Sequence, residues 1–118
     1  MIAITGAAGF IGSNLAHALA TQGHRLLLVD HDITPAKAAN LAGLERFAFS
    51  RHDHFLEDLD AGRAEPDAIF HLGACSATTE TNWDYLRRNN VEYTQSLWQW
   101  CAAKRKPLFY ASSAATYG

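Results

Sequence analysis

The chain has 118 residues, of which 48% are hydrophobic and 19% charged, and its net charge is -2 with histidines neutral. That length holds one domain and not two, and the composition is that of an ordinary soluble globular protein. The charge excludes a nucleic-acid binder, which needs clustered Lys and Arg; Arg87-Arg88 and Lys104-Arg105-Lys106 are short enough to be solvated helix faces.

Strand and helix signals alternate along the chain, which predicts α/β architecture with a parallel sheet covered on both faces. Ile2 to Thr5 is a short apolar strand. Phe10 to Thr21 carries Ile11, Leu15, Ala18 and Leu19 at helical spacing, and Gly23 stops it. Arg25 to Asp30 holds four consecutive apolar residues, as a doubly buried strand does. Pro35 to Leu44 is a short helix with Thr34 as its cap. Phe47 to Phe49 is a weak third strand, His54 to Leu59 a helical turn, and Ala68 to Leu72 a fourth strand. Glu80 to Lys104 is the longest helix, with Leu86, Asn90, Tyr93, Leu97 and Trp100 as its inward stripe. Trp98 falls off that stripe and is a candidate subunit contact. Pro107 ends the helix, and Leu108 to Ser112 is a fifth strand.

Right-handed crossovers turn this succession into a doubly wound sheet of order 3-2-1-4-5. Such a sheet usually continues with a further strand and helix, so the fifth strand is expected at an exposed edge. Cys75 and Cys101 lie far apart and among apolar residues; they form no metal-ligand spacing and read as small core hydrophobes in a reducing cytoplasm. A basic leader and an apolar run of membrane length are both lacking in the sequence. His71 closes the fourth strand, where a packed histidine is the expected role; His17, His24 and His54 fall at surface positions.

Between the first strand and the first helix lies Thr5-Gly6-Ala7-Ala8-Gly9-Phe10-Ile11-Gly12. The glycines follow a G-x-x-G-x-x-G spacing, one residue longer in its first interval than the G-x-G-x-x-G of dinucleotide-binding Rossmann folds. The physical roles carry over: Gly6 for a tight turn, Gly9 for backbone approach to a diphosphate, Gly12 for close helix packing. The helix amino terminus then presents free N–H groups and a positive dipole end. A plain strand–helix turn with packing glycines is the competing explanation. Asp30 weighs against it. It ends the second strand, where a carboxylate accepts from the adenosine ribose hydroxyls. Asp30 alone favours NAD, because a carboxylate repels a 2′-phosphate. His31, Lys37, Arg51 and His52 offer compensating positive charge, and surface solvation explains any one of them equally well.

Three segments carry a more specific pattern: Thr5 to Asn14; Ile69-Phe70-His71-Leu72-Gly73-Ala74-Cys75-Ser76-Ala77-Thr78-Thr79-Glu80; and Phe109-Tyr110-Ala111-Ser112-Ser113-Ala114-Ala115-Thr116-Tyr117-Gly118. The first and third resemble the extended short-chain dehydrogenase/reductases, the nucleotide-sugar epimerases and dehydratases. The second, with Asn89-Asn90 in the long helix, narrows the resemblance to the ADP-heptose 6-epimerases. The resemblance implies an NADP-binding Rossmann domain over residues 1–118, with NAD as the alternative cofactor. It sets Gly6, Gly9, Phe10, Ile11 and Gly12 at the diphosphate and Asp30 with His31 at the adenosine ribose. Lys37, with Arg51 or His52, would stand near a 2′-phosphate. Leu72, Gly73, Ala74, Cys75 and Ser76 would form the loop passing the adenosine and nicotinamide, and Asn89 would approach the cofactor from the long helix. Ser113 matches the family's catalytic hydroxyl, which hydrogen-bonds the sugar oxygen being oxidised, with Thr116 as a possible second contact.

The implied reaction is transient oxidation of an ADP-heptose at C6″ to a ketone, followed by hydride return to the opposite face. The resemblance also implies a cytoplasmic homo-oligomer serving synthesis of the lipopolysaccharide core. The family's general base is a Tyr of a Tyr-x-x-x-Lys pair on the next long helix, and that pair is not among these residues. The expectation is therefore a dinucleotide-binding part of an isomerase, inactive by itself. Two alternatives stand beside it. One is another nucleotide-sugar epimerase or dehydratase. The other is a non-catalytic dinucleotide-binding module.

Overall fold

A computed structural model describes residues 1–30, 34–45, 47–72 and 83–110, with the backbone alone for 83–90. The elements run β1 (Ile2–Thr5), α1 (Phe10–Thr21), β2 (Leu26–Asp30), α2 (Pro35–Asn40), β3 (Phe47–Arg51), α3 (His52–Asp60), β4 (Ala68–His71), α4 (Trp83–Lys104) and β5 (Leu108–Tyr110). The strands form one parallel sheet of order β3-β2-β1-β4-β5. This is the doubly wound order expected from the sequence.

The two layers arise from strict alternation along the central strands. Ala3, Leu27, Val29 and Ile69 point to one face, where Phe55 and Leu59 of α3 and Leu97, Trp100 and Cys101 of α4 close over them. Ile4, Leu26 and Leu28 point to the other, against Ala16 of α1 and Leu41. The indole N–H of Trp100 donates to the Leu59 carbonyl at 3.2 Å, so this large ring is buried with its polar atom satisfied. Tyr93, Leu97 and Trp100 face inward as their spacing requires, whereas Trp98 is 63% exposed.

Among the described residues, three boundaries differ from the sequence reading by two residues or more, the others by one at most. α2 ends at Asn40, because Leu41 turns under into the α1-side core and Gly43 takes a φ of 91°. β3 runs on to Arg51, since pairing with β2 through Asp30↔Arg51 holds two residues of weak strand preference. α3 starts at His52 rather than His54. The Thr34 cap is as expected, with its hydroxyl accepting from the Lys37 N–H at 3.3 Å.

α4 closes in a Schellman arrangement. The Lys106 N–H donates to the Cys101 carbonyl at 2.8 Å and the Arg105 N–H to Ala102 at 3.3 Å, with Arg105 at φ 58°. That φ costs a residue with a Cβ roughly 1 kcal/mol. Arg105→Gly is expected to raise stability by up to about 1 kcal/mol, read as a higher urea midpoint at unchanged slope. No helix among the described residues is long and apolar enough to cross a membrane.

Candidate functional site

β1 ends at Thr5 and hands the chain to Gly6, whose φ of 68° suits a residue without a Cβ. The turn is then pinned from within. The Ala7 N–H donates to the Val29 carbonyl at 3.2 Å and the Gly9 N–H to the Gly6 carbonyl at 3.1 Å. The first bond of α1 runs from the Ser13 N–H to the Gly9 carbonyl at 2.9 Å. The N–H groups of Phe10, Ile11 and Gly12 precede it and have no acceptor within the helix. Gly9, the capping residue, has no side chain to offer them, and the first turn contains no acid. The positive end of α1 thus has no side-chain acceptor from its cap and no acid in its first turn. Phe10 and Ile11 flank it, 77% and 69% exposed.

The glycines divide their work. A Cβ on Gly12 would lie 2.2 Å from the Gly6 carbonyl oxygen and 2.9 Å from the Ala7 Cα. Gly12 therefore seats the helix directly against its own turn. A Cβ on Gly9 would meet only the Gly6 oxygen, at 3.4 Å, so the fold itself leaves that position room.

Asp30 closes β2 beside this turn and is 4% exposed. One carboxylate oxygen accepts from the Ala8 N–H at 2.9 Å, and the other faces the Lys37 ammonium at 3.3 Å. Lys37 reaches it from the middle of α2, with about a third of its side chain exposed. A buried carboxylate calls for such partners. The two residues expected at the adenosine end are thus joined to each other and to the phosphate turn. Arg51 ends β3 at the register position opposite Asp30, and its guanidinium meets Asp53 at 3.3 Å on the surface.

The sequence reading missed one residue of this group. The Asn40 amide donates to the Ala8 carbonyl at 3.1 Å, so Ala8 is held at its N–H by Asp30 and at its C=O by Asn40. The signal was available only in part: Asn at the end of a helix seeks backbone partners, but nothing local says which. His17, expected on the surface, is half-buried and bonds the Asn40 backbone carbonyl at 3.0 Å.

Across the sheet, a second polar group lies under the ends of β1 and β4. His71 is buried, with Nδ1 at 2.6 Å from the Thr5 hydroxyl and Nε2 at 3.0 Å from that of Thr94. Tyr93 stacks on its ring at 5.5 Å and also on that of His52 at 3.9 Å. The Tyr93 hydroxyl donates to the His52 carbonyl at 3.0 Å, and burial, with Asp53 nearby, raises its pKa. His52 thus sits within this stack, on the α4 side. Burial also pushes the His71 pKa from 6.5 down to about 4. A base with a depressed folded pKa stabilises the fold fully above its unfolded value, and that stability is lost as pH falls toward the folded one. The urea midpoint is therefore expected to drop between about pH 6.5 and pH 4. His71→Gln should flatten that part of the profile.

The structure gathers Gly6, Gly9, Phe10, Ile11, Gly12, Asp30 and Lys37 at one end of the sheet, with Leu72 following β4 at that same end. His31, Gly73, Ala74, Cys75, Ser76, Ser113 and Thr116 lie outside the described residues, as does the side chain of Asn89. Among the described residues there is no cluster of three or more metal-ligating side chains.

A parallel sheet of this order, with a glycine turn under an open helix end and an acid closing the next strand, defines the first half of a dinucleotide-binding Rossmann fold. Residues 2–118 match the model of the NAD dependent epimerase/dehydratase family, and the chain belongs to that family. It is 47% identical, over its whole length, to the ADP-L-glycero-D-manno-heptose-6-epimerase of Alkalilimnicola ehrlichii, and spans 38% of that protein. Its fold is similar to the crystal structure of the Helicobacter pylori ADP-L-glycero-D-manno-heptose-6-epimerase, with a TM-score of 0.81 and 30% identity over 99% of this chain and 40% of that one. It is also similar to MoeE5 in complex with UDP-glucose and NAD, with a TM-score of 0.73 and 30% identity over 99% of this chain and 38% of that one. The chain thus spans well under half the length of these relatives.

Proposed function

We propose that the protein to which these residues belong is an NADP-dependent ADP-heptose 6-epimerase, and that residues 1–118 form its dinucleotide-binding part. The reaction is conversion of ADP-D-glycero-D-manno-heptose to ADP-L-glycero-D-manno-heptose at C6″, in the cytoplasm, within a homo-oligomer. The observation that carries the dinucleotide reading is the uncapped amino terminus of α1 over Gly6, Gly9 and Gly12, beside the Asp30–Lys37 pair. Likeness to the Alkalilimnicola and Helicobacter enzymes supports the sugar.

Each group has its task. The N–H groups of Phe10, Ile11 and Gly12 hold the diphosphate, Asp30 accepts from the adenosine ribose, and Lys37, with Arg51 or His52, offsets a 2′-phosphate. His31, the loop from Leu72 through Gly73, Ala74, Cys75 and Ser76, and Asn89 complete the cofactor contacts. Ser113 hydrogen-bonds the sugar oxygen that becomes the ketone. When bound, the nicotinamide supplies the hydride acceptor and donor. Deprotonation of the sugar hydroxyl needs a base that the 118 residues do not carry as Tyr-x-x-x-Lys, so these residues alone bind dinucleotide and turn over no sugar.

A second reading, NAD as the cofactor, is favoured by the buried Asp30 carboxylate and by the NAD in the MoeE5 complex. Parallel calorimetric titrations with NADP⁺ and NAD⁺ decide between them. Lys37→Ala is expected to weaken NADP⁺ about tenfold, the value of one charge-assisted contact, and NAD⁺ by much less. An equal loss for both would assign Lys37 to Asp30 alone. Turnover of ADP-heptose by residues 1–118 would refute their inactivity, and absence of turnover by the longer protein would refute the substrate.

A further inference from the structure

In the order β3-β2-β1-β4-β5, successive strands run outward in opposite directions from β1 and β4. The crevice that takes ligands in such sheets opens above the carboxyl ends of the two strands at that switch. Those ends are Thr5 and His71, and the two are register partners. We infer that His71 is a positioning residue for the phosphate turn: through Nδ1 and the Thr5 hydroxyl it fixes the last residue of β1, and through Nε2 and the Thr94 hydroxyl it ties that residue to α4.

This rests on the reading that the turn holds a diphosphate, and four observations carry it further. First, the two bonds are 2.6 Å and 3.0 Å, with Thr5 fully buried and His71 nearly so, which makes them costly to break. Second, the ring is clamped: it stacks on Tyr93, which stacks in turn on His52 and bonds its carbonyl. Third, Thr5 is also held through its main chain, its carbonyl accepting from the Leu72 N–H at 3.3 Å. Fourth, the residue that follows is Gly6, which has no side chain to anchor it, so the turn takes its origin from wherever Thr5 is placed. An aliphatic side chain would suffice to pack this end of β4, as Ile69 does two residues earlier. A ring bonded at both nitrogens specifies a position as well. A neutral imidazole has one donor and one acceptor nitrogen, so the two hydroxyls must take opposite roles, and both can.

The test uses two substitutions that each keep one half of the imidazole. The amide of His71→Asn occupies the place of Nδ1 and retains the Thr5 bond; that of His71→Gln occupies the place of Nε2 and retains only Thr94. Thr5→Val removes the hydroxyl at constant shape. Dissociation constants are measured by calorimetry for NADP⁺ and for adenosine 2′-monophosphate, which engages the Asp30–Lys37 end alone. His71→Gln and Thr5→Val are each expected to weaken NADP⁺ by about tenfold, one buried bond's worth, and His71→Asn by less than about threefold. The double variant Thr5→Val/His71→Gln should lose no more than the worse single, since both remove the same link. Adenosine 2′-monophosphate should bind all variants alike. Equal losses for Asn and Gln, additive losses in the double variant, or unchanged NADP⁺ affinity with a lowered melting temperature alone would overturn the inference. Should His71→Gln not fold, Thr5→Val decides on the same readout. If the unaltered chain binds adenosine 2′-monophosphate but not NADP⁺, the diphosphate reading fails, and the inference with it.

Discussion

Gly12→Ala is expected to disable the turn outright. The added methyl would lie 2.2 Å from the Gly6 carbonyl oxygen and 2.9 Å from the Ala7 Cα, both backbone atoms that no rotamer change can move aside. Either α1 lifts off or the turn rebuilds, and overpacking of this kind costs about 3 kcal/mol or more. The urea midpoint should fall accordingly. Whatever folds should bind dinucleotide at least about a hundredfold more weakly, because the N–H groups no longer converge. Gly9→Ala is the control. Its φ of -74° suits alanine and its methyl would meet one atom, at 3.4 Å. Stability should change by less than about 1 kcal/mol, while affinity should fall sharply if, as proposed, a diphosphate approaches the backbone there. Equal effects at both positions would show that the three glycines serve packing alone.

Asp30→Ala comes second in size and strikes two functions together. It strips the acceptor from the buried Ala8 N–H and the partner from Lys37. An orphaned buried donor costs about 1–3 kcal/mol, so denaturation should show a loss in that range. Dinucleotide affinity should fall by roughly thirtyfold or more, since the proposed ribose acceptor and the turn's outer brace go together. Asp30→Asn keeps one acceptor for Ala8 and should recover most of the stability and little of the affinity. If alanine lost stability without affinity, the carboxylate would be a brace and no ribose ligand.

Much of this was legible in the chain itself. The apolar run Leu26–Val29, the glycine spacing and the terminal Asp30 are local signals with local causes, and the strand order followed from handedness alone. The ends of elements were harder. Ser50 and Arg51 are strand because β2 supplies their partners, and Leu41 leaves the helix because the core beneath α1 draws it in. Long-range bonds were the least visible. That Lys37 pairs with Asp30, that Asn40 holds Ala8, and that His71 bridges Thr5 and Thr94 depend on which loops the sheet brings together. No spacing along the chain encodes those encounters. Gly12 shows a subtler limit: the motif announced a close approach, but not that the turn itself, at the Gly6 oxygen and the Ala7 Cα, is among what lies close.

The alternation of Ala3 and Ile4 between two separate cores has a consequence for how the gene can vary. Adding or deleting one codon within β1 would exchange the two faces at a stroke, sending Ile4 toward α3 and α4 and Ala3 toward α1, and would displace Gly6 from its helix. The exposed bend at Gly62 and Arg63 caps α3, with Gly62 at φ 77° and the Arg63 N–H on the Asp58 carbonyl, but it carries no alternation between two cores. In a library of variants, length changes should therefore cost less at that bend than in the first strand.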